Sequence, residues 1–166
     1  MPQTQLEAGS FSPDTLDFLG ALHKHAVRYM IIGGEAVIYY GYARATGDID
    51  FFYERTDANV RRLFSALRDF WKGSVPGLQN SAELRQPGLI VQFGVPPNRI
   101  DLVNQIDGVA FPEAWPNRLA VTVRSAQRDI PIWIVGIKDL IRNKRAVARP
   151  KDLDDLRFLE ARRRPG

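Results

Sequence analysis

A chain of 166 residues that is 45% hydrophobic fits one globular domain with a proper core, and two full domains would be cramped. It contains no cysteine, which excludes disulfides, thiolate metal sites and a cysteine nucleophile. Its net charge of +4 and pI near 9.6 come from a basic C-terminal end running from Arg142 to Arg164, which reads either as attraction to anions such as nucleotides or RNA or as a solvated helix face.

Residues 1–10 lack a basic n-region and an apolar h-region, and no apolar run approaches the roughly 18 residues that a membrane span needs. The expectation is a cytoplasmic protein with no membrane partner and a flexible stretch at 1–10. Phe11-Ser12-Pro13-Asp14 marks a helix start, with Ser12 as N-cap and Pro13 in the first turn. Leu16, Leu19, Leu22 and Ala26 give that helix an apolar stripe facing a sheet. His23 and His25, the only imidazoles, read as surface or helix-end residues.

A buried strand over 28–32 leads to Gly33-Gly34, followed by a short helix over 35–40 that Gly41 ends and a loop over 42–47. The next strand covers 48–53. Thr56 caps a helix whose inner stripe is Val60, Leu63, Phe64, Leu67 and Trp71. Residues 72–87, rich in Gly, Pro, Ser and Asn, read as an irregular connection with a helical turn near 81–84. Strands over 89–93 and 99–103 form a hairpin through residues 94–98.

Residues 106–115 read as a loop with a short turn, and strands follow over 119–123 and 130–135. Pro131 requires the second of these to be an edge strand or to begin there. Trp115 and Trp133 read as packing residues. From Gly136 the pattern is helical, with Ile137, Leu140 and Ile141 inside, a break at Arg149-Pro150, and a last helix with Leu153, Leu156, Phe158 and Leu159.

Three features of this pattern carry chemistry. Gly33-Gly34 sits at a strand-to-helix turn, where backbone N–H groups bind anions and a phosphate meets no Cβ. Asp48 and Asp50 share one face of a strand, where two carboxylates repel unless a cation lies between them, and such hard oxygen ligands suit magnesium or manganese. Asp101, flanked by Ile100 and Leu102, is an expensive position for a lone charge, so a partner is expected. A Gly-Gly alone is usually a tight turn, and an Asp-x-Asp alone is often a solvated strand end. In this order and spacing they are much more specific.

Gly33, Gly34 and Ala36, then Gly41, Arg44, Thr46, Asp48, Ile49 and Asp50, resemble the signature of the polymerase β type nucleotidyltransferase superfamily. They are closest to its small bacterial members, the AbiEii-like toxin and MNT-like nucleotidyltransferases. The run Lys138 to Ile141, then Lys144, then Arg149 to Leu156 is similar to the C-terminal motif of the same group.

The resemblance implies an α/β (α+β) fold: a small mixed sheet with flanking helices, a core over 11–135, a helical C-terminal segment over 136–161 packed on it, and a flexible tail at 162–166. It implies a metal site of Asp48, Asp50 and Asp101 holding Mg2+ or Mn2+, with Asp101 also helping to remove the acceptor's proton. Gly33, Gly34, Arg44, Thr46, Lys144, Lys151 and Asp152 become nucleotide- and phosphate-binding candidates, although Arg44 also reads as pairing with an acidic neighbour, and Lys144, Lys151 and Asp152 read equally as helix capping and pairing. The implied reaction moves a nucleoside monophosphate from an NTP such as ATP to a hydroxyl of tRNA or of a partner protein, within a toxin-antitoxin system. The rival readings are a catalytically inactive partner-binding antitoxin or scaffold, and a nucleic-acid-binding module using the basic C-terminus. A homodimer is left open.

Overall fold

The apolar run ahead of Gly33 becomes β2 (Tyr29–Ile32), and all four of its residues are buried. A strand apolar on both faces belongs inside a sheet, and in the computed structural model, which describes residues 5–163, β2 lies at its middle. It runs antiparallel to β3 (Asp48–Tyr53) and meets β7 (Ile130–Ile134) in parallel at Ile31 and Ile134. Beyond β3 comes β5 (Arg99–Val103) in parallel and then β4 (Ile90–Phe93) antiparallel to it. On the other side β7 pairs antiparallel with β6 (Leu119–Arg124), and β1 (Gln5–Glu7) closes that edge in parallel. The order is β1-β6-β7-β2-β3-β5-β4, a mixed sheet with helices against it, consistent with a small α+β nucleotidyltransferase fold.

Strand alternation sorts β3 into two faces. Phe51 points to α1 (Pro13–Lys24) and α3 (Asp57–Phe70): the rings of Phe18 and Phe51 meet edge-on at 5.1 Å, and Phe18 and Phe70 at 5.3 Å. Phe52 points the other way, to Phe111 of α4 (Phe111–Ala114) at 5.2 Å. Asp48 and Asp50 therefore share the α4 side. That side also carries α5 (Ile137–Val147) and α6 (Pro150–Arg163), joined through Ala148 at φ 54°.

Both expected N-caps form. The hydroxyl of Ser12 accepts the Thr15 N–H at 3.1 Å, and that of Thr56 accepts the Asn59 N–H at 3.3 Å. Ala26 does not belong to the stripe of α1: the helix ends at Lys24, and the chain reverses through Ala26 at φ 52° to enter β2. His25, the C-cap of that helix, pairs at 2.5 Å with Asp69 on the surface. Among the described residues no helix is long and apolar enough to cross a membrane.

Other expectations meet different physics. Part of the stretch expected to be flexible is ordered, since Gln5–Glu7 pair with β6; residues 1–4 and 164–166 lie outside the described residues, and Arg162 and Arg163 continue α6. Pro131 agrees with the second of its two readings: it sits at the start of β7, an interior strand, where its missing N–H costs nothing because β7 reaches β2 only at Ile134. The segment 106–115 is, as expected, a loop with a short turn: the turn is α4 at Phe111–Ala114, and its Phe111 is a core residue. In α6 Leu153, one of the apolar residues that mark the helix in the sequence, is exposed, and Asp152, Asp155 and Leu159 face inward.

Asn59, fully buried, ties α3 to the strand entrance. Its Oδ1 accepts the Arg28 N–H at 2.7 Å, and its Nδ2 donates to the carbonyls of Arg28 and Glu54 at 3.0 and 2.8 Å. Truncation removes the side-chain partners of the Arg28 N–H and the Glu54 carbonyl, while the Arg28 carbonyl keeps the Glu54 N–H at 3.2 Å. Asn59→Ala is expected to cost about 2–4 kcal/mol in urea unfolding, against about 1 kcal/mol for loss of the Thr56 cap in Thr56→Ala.

Candidate active site

The parallel register of β3 and β5 builds the site. It sets Asp48 beside Arg99 and Asp50 beside Asp101, so side chains at two-residue intervals converge on one face. Oxygen atoms of Asp48, Asp50 and Asp101 come within 4.8 Å of one another. The partner that Asp101 requires is Arg99. Its Nε donates to Asp101 Oδ1 at 3.0 Å, and its Nη2 donates to Asp101 Oδ2 at 3.2 Å and to Asp48 Oδ2 at 2.8 Å.

Asp50 receives no such bond. Burial first, then the charges of Asp48 and Asp101 and a shared hydrogen bond with Asp101, push its carboxyl up to about 7. A proton thus stands in for a missing positive charge.

The Gly33-Gly34 turn abuts this cluster directly. Gly33 has φ +67°, and a Cβ there would lie 2.2 Å from Asp50 Oδ2. A Cβ on Gly34 would lie 2.9 Å from Thr46 Oγ1 and 3.0 Å from Arg44 Nη2. Glycine is demanded twice over at Gly33, by backbone conformation and by the neighbouring carboxylate. From that turn α2 (Gly33–Tyr39) departs, and the Tyr40 hydroxyl after it donates to the Val135 carbonyl at 2.7 Å. The Thr46 hydroxyl donates 3.2 Å to the carbonyl and 3.2 Å to the side chain of Asp48, fixing the loop to the strand.

Behind the cluster lies a second layer of charge. Lys144 of α5, 3% exposed, places Nζ 3.0 Å from Asp152 and 3.0 Å from Asp155 of α6, each 1% exposed. Arg44 grips Asp155 from the loop, with Nη2 donating at 2.9 Å and Nε 2.9 Å from the other oxygen. Arg149 donates through Nε to Asp152 at 2.6 Å, and its N–H donates to the same carboxylate at 3.2 Å, which caps α6. Burial works to raise the Asp152 carboxyl, but the hydrogen bonds from Arg149 and Lys144 outweigh it and hold the group below the ordinary carboxylate range.

All the sequence-derived candidates line one cleft of about 390 Å³: Gly33, Gly34, Arg44, Thr46, Asp48, Asp50, Asp101, Lys144, Lys151 and Asp152. Lys151 is exposed and has no ion-pair partner among the described residues. Arg44 faces the cleft while committed to Asp155. Lys144 is wholly engaged in the buried network, so helix pairing is what it does in this structure.

Sequence reasoning passed over Arg99, Arg149 and Asp155. The signal for Arg99 was present, since it precedes Asp101 by two strand positions and so shares its face. Asp155 carried only its place in the C-terminal run Arg149 to Leu156, because an acid in an inward position looks like part of a solvated face.

Two tests follow from this electrostatics. Below about pH 4 the Asp50 carboxyl is protonated in both states; between 3.8 and about 7 the folded chain keeps a proton that the unfolded chain has released. Stability of the metal-free protein should therefore fall as pH rises through that window, and urea midpoints of Asp50→Asn should lack this component. Lys144→Met removes the buried cation shared by Asp152 and Asp155 and leaves them only Arg149 and Arg44, with an expected loss of about 3 kcal/mol. Arg145→Ala, at an exposed pair with Glu160, should cost less than about 1 kcal/mol in the same unfolding assay.

The comparisons agree with this geometry. No curated protein matches the sequence. The profile of the family described as "Nucleotidyltransferase of unknown function (DUF6036)" matches residues 17–160, a span that runs from α1 to α6 and takes in both charge layers. The chain belongs to this nucleotidyltransferase family.

Proposed function

We propose that the protein transfers a nucleoside monophosphate from an NTP to a hydroxyl of a macromolecule, a tRNA or a partner protein, and releases pyrophosphate. The observation that carries this reading is the convergence of three carboxylates from two strands against a glycine turn that has no Cβ in the way. The donor set is all oxygen and anionic, and it already holds a cation in the form of the Arg99 guanidinium, so it fits a hard divalent ion. A magnesium or manganese ion held by Asp48, Asp50 and Asp101 would stabilise charge on the phosphate oxygens.

The chain's own groups divide the remaining work. Backbone N–H groups at Gly33 and Gly34 bind the β and γ phosphates. Lys151 and the free edge of Arg149 line the same cleft and neutralise phosphate charge. Arg44, held by Asp155, and Thr46, bonded to Asp48, keep the loop from closing over the turn. Asp101 takes the proton of the acceptor hydroxyl as its oxygen bonds to the α phosphorus, and the bond to the bridging oxygen breaks with pyrophosphate leaving. The likeness to the AbiEii-like and MNT-like enzymes supports a place in a toxin-antitoxin system, in the cytoplasm where NTPs and tRNA are found.

A second reading, a catalytically inactive partner-binding antitoxin, gains support from one observation: Arg99 already occupies two of the three carboxylates. Incubation with each of four α-labelled NTPs, host lysate and magnesium or manganese separates the two. The expected outcome is label on one macromolecule with the wild type, reduced at least about a hundredfold in an Asp48→Ala, Asp50→Ala double variant. An absence of label with either metal would overturn the transferase reading.

A further inference from the structure

Arg99 is the cation that meets the carboxylate cluster, through Asp48 and Asp101. Its position is dictated by backbone register: it is the β5 partner of Asp48 and lies two residues before Asp101 on the same strand. Its planar fork spends Nε and Nη2 on both oxygens of Asp101 and shares Nη2 with Asp48. Among the described residues no other cation lies within ion-pair distance of Asp48 or Asp101. The cations behind, Arg44 and Lys144, are bound to Asp155 and Asp152 and are not free to replace it.

Arg99 is also the member of the cluster most able to leave. Its side chain is 31% exposed at the cleft, whereas that of Asp101 is 9% exposed. The guanidinium takes lone pairs on three of these oxygens and sets a positive charge beside them, so it opposes a divalent cation at the same cluster. The exposed, long, rotatable side chain is the one that can move without disturbing the sheet.

Resting on the metal-dependent reading above, we infer that Arg99 is the counter-ion of the metal-free carboxylate cluster, and that a divalent ion binds in competition with its guanidinium for Asp48 and Asp101. Arg99 thereby weakens metal binding and stabilises the metal-free fold. The metal-free cluster carries less negative charge with Arg99 in place and loads metal at a higher threshold than three unpaired carboxylates would.

The test is Mn2+ titration of the whole chain followed by electron paramagnetic resonance, with thermal unfolding of the same samples with and without Mn2+. Arg99→Gln should bind Mn2+ at least tenfold more tightly than the wild type. It should melt lower without metal and gain more from saturating Mn2+. Arg99→Lys keeps a charge but not the fork that spans two carboxylates, and it should fall between the two. It also serves as the informative variant if Arg99→Gln fails to fold.

Equal or weaker Mn2+ binding by the folded Arg99 variants, with binding retained in the wild type, would overturn the Arg99 inference and leave the transferase reading standing. No Mn2+ binding by any of the proteins would overturn both.

Discussion

Three carboxylates crowded into one half-buried corner are the constraint on which the rest of this structure depends. Parallel pairing of β3 and β5 brings Asp50 opposite Asp101 and leaves Asp48 beside them, an arrangement that repels itself in a medium less polar than water. The surrounding features are responses to that repulsion. Arg99 pairs with two members, a proton held to about pH 7 relieves the third, and the Gly33 turn stays bare because an Asp50 oxygen takes the space a Cβ would need.

The second charge layer extends this balance into the C-terminal helices. Lys144, Asp152 and Asp155 are nearly solvent-free, and together with Arg44 and Arg149 they link the loop before β3, the end of α5 and the start of α6. Such a network adds little net stability compared with an apolar packing, but breaking one member is severe. It therefore acts as a register device, since α6 docks favourably only where both of its aspartates meet cations. That docking brings Lys151 and Arg149 to the same cleft as the carboxylates, so the helical end of the chain shapes the site as well as covering the sheet.

Much of this was legible in the residues. The glycine turn, the Asp48-Asp50 spacing, the hairpin that carries Asp101 and the caps at Ser12 and Thr56 are all local, and local rules read them because each depends on one dihedral preference or one period. The elements misread were decided elsewhere. Gln5–Glu7 is a strand only because β6 offers an open edge. Leu153 faces water while two aspartates face inward because the opposite surface carries Lys144 and Arg44.

The sequence by itself determined the chemistry on offer: three carboxylates without cysteine or a credible histidine site, a turn open to phosphate, and the order of strands and helices that presents them. It could do so because side-chain period and turn preference are properties of neighbouring residues. Only the tertiary structure decided which charges satisfy one another. Arg99 is joined to Asp48 across 51 positions and Arg44 to Asp155 across 111, and pairings at that distance follow from strand register and helix docking, which no local pattern encodes.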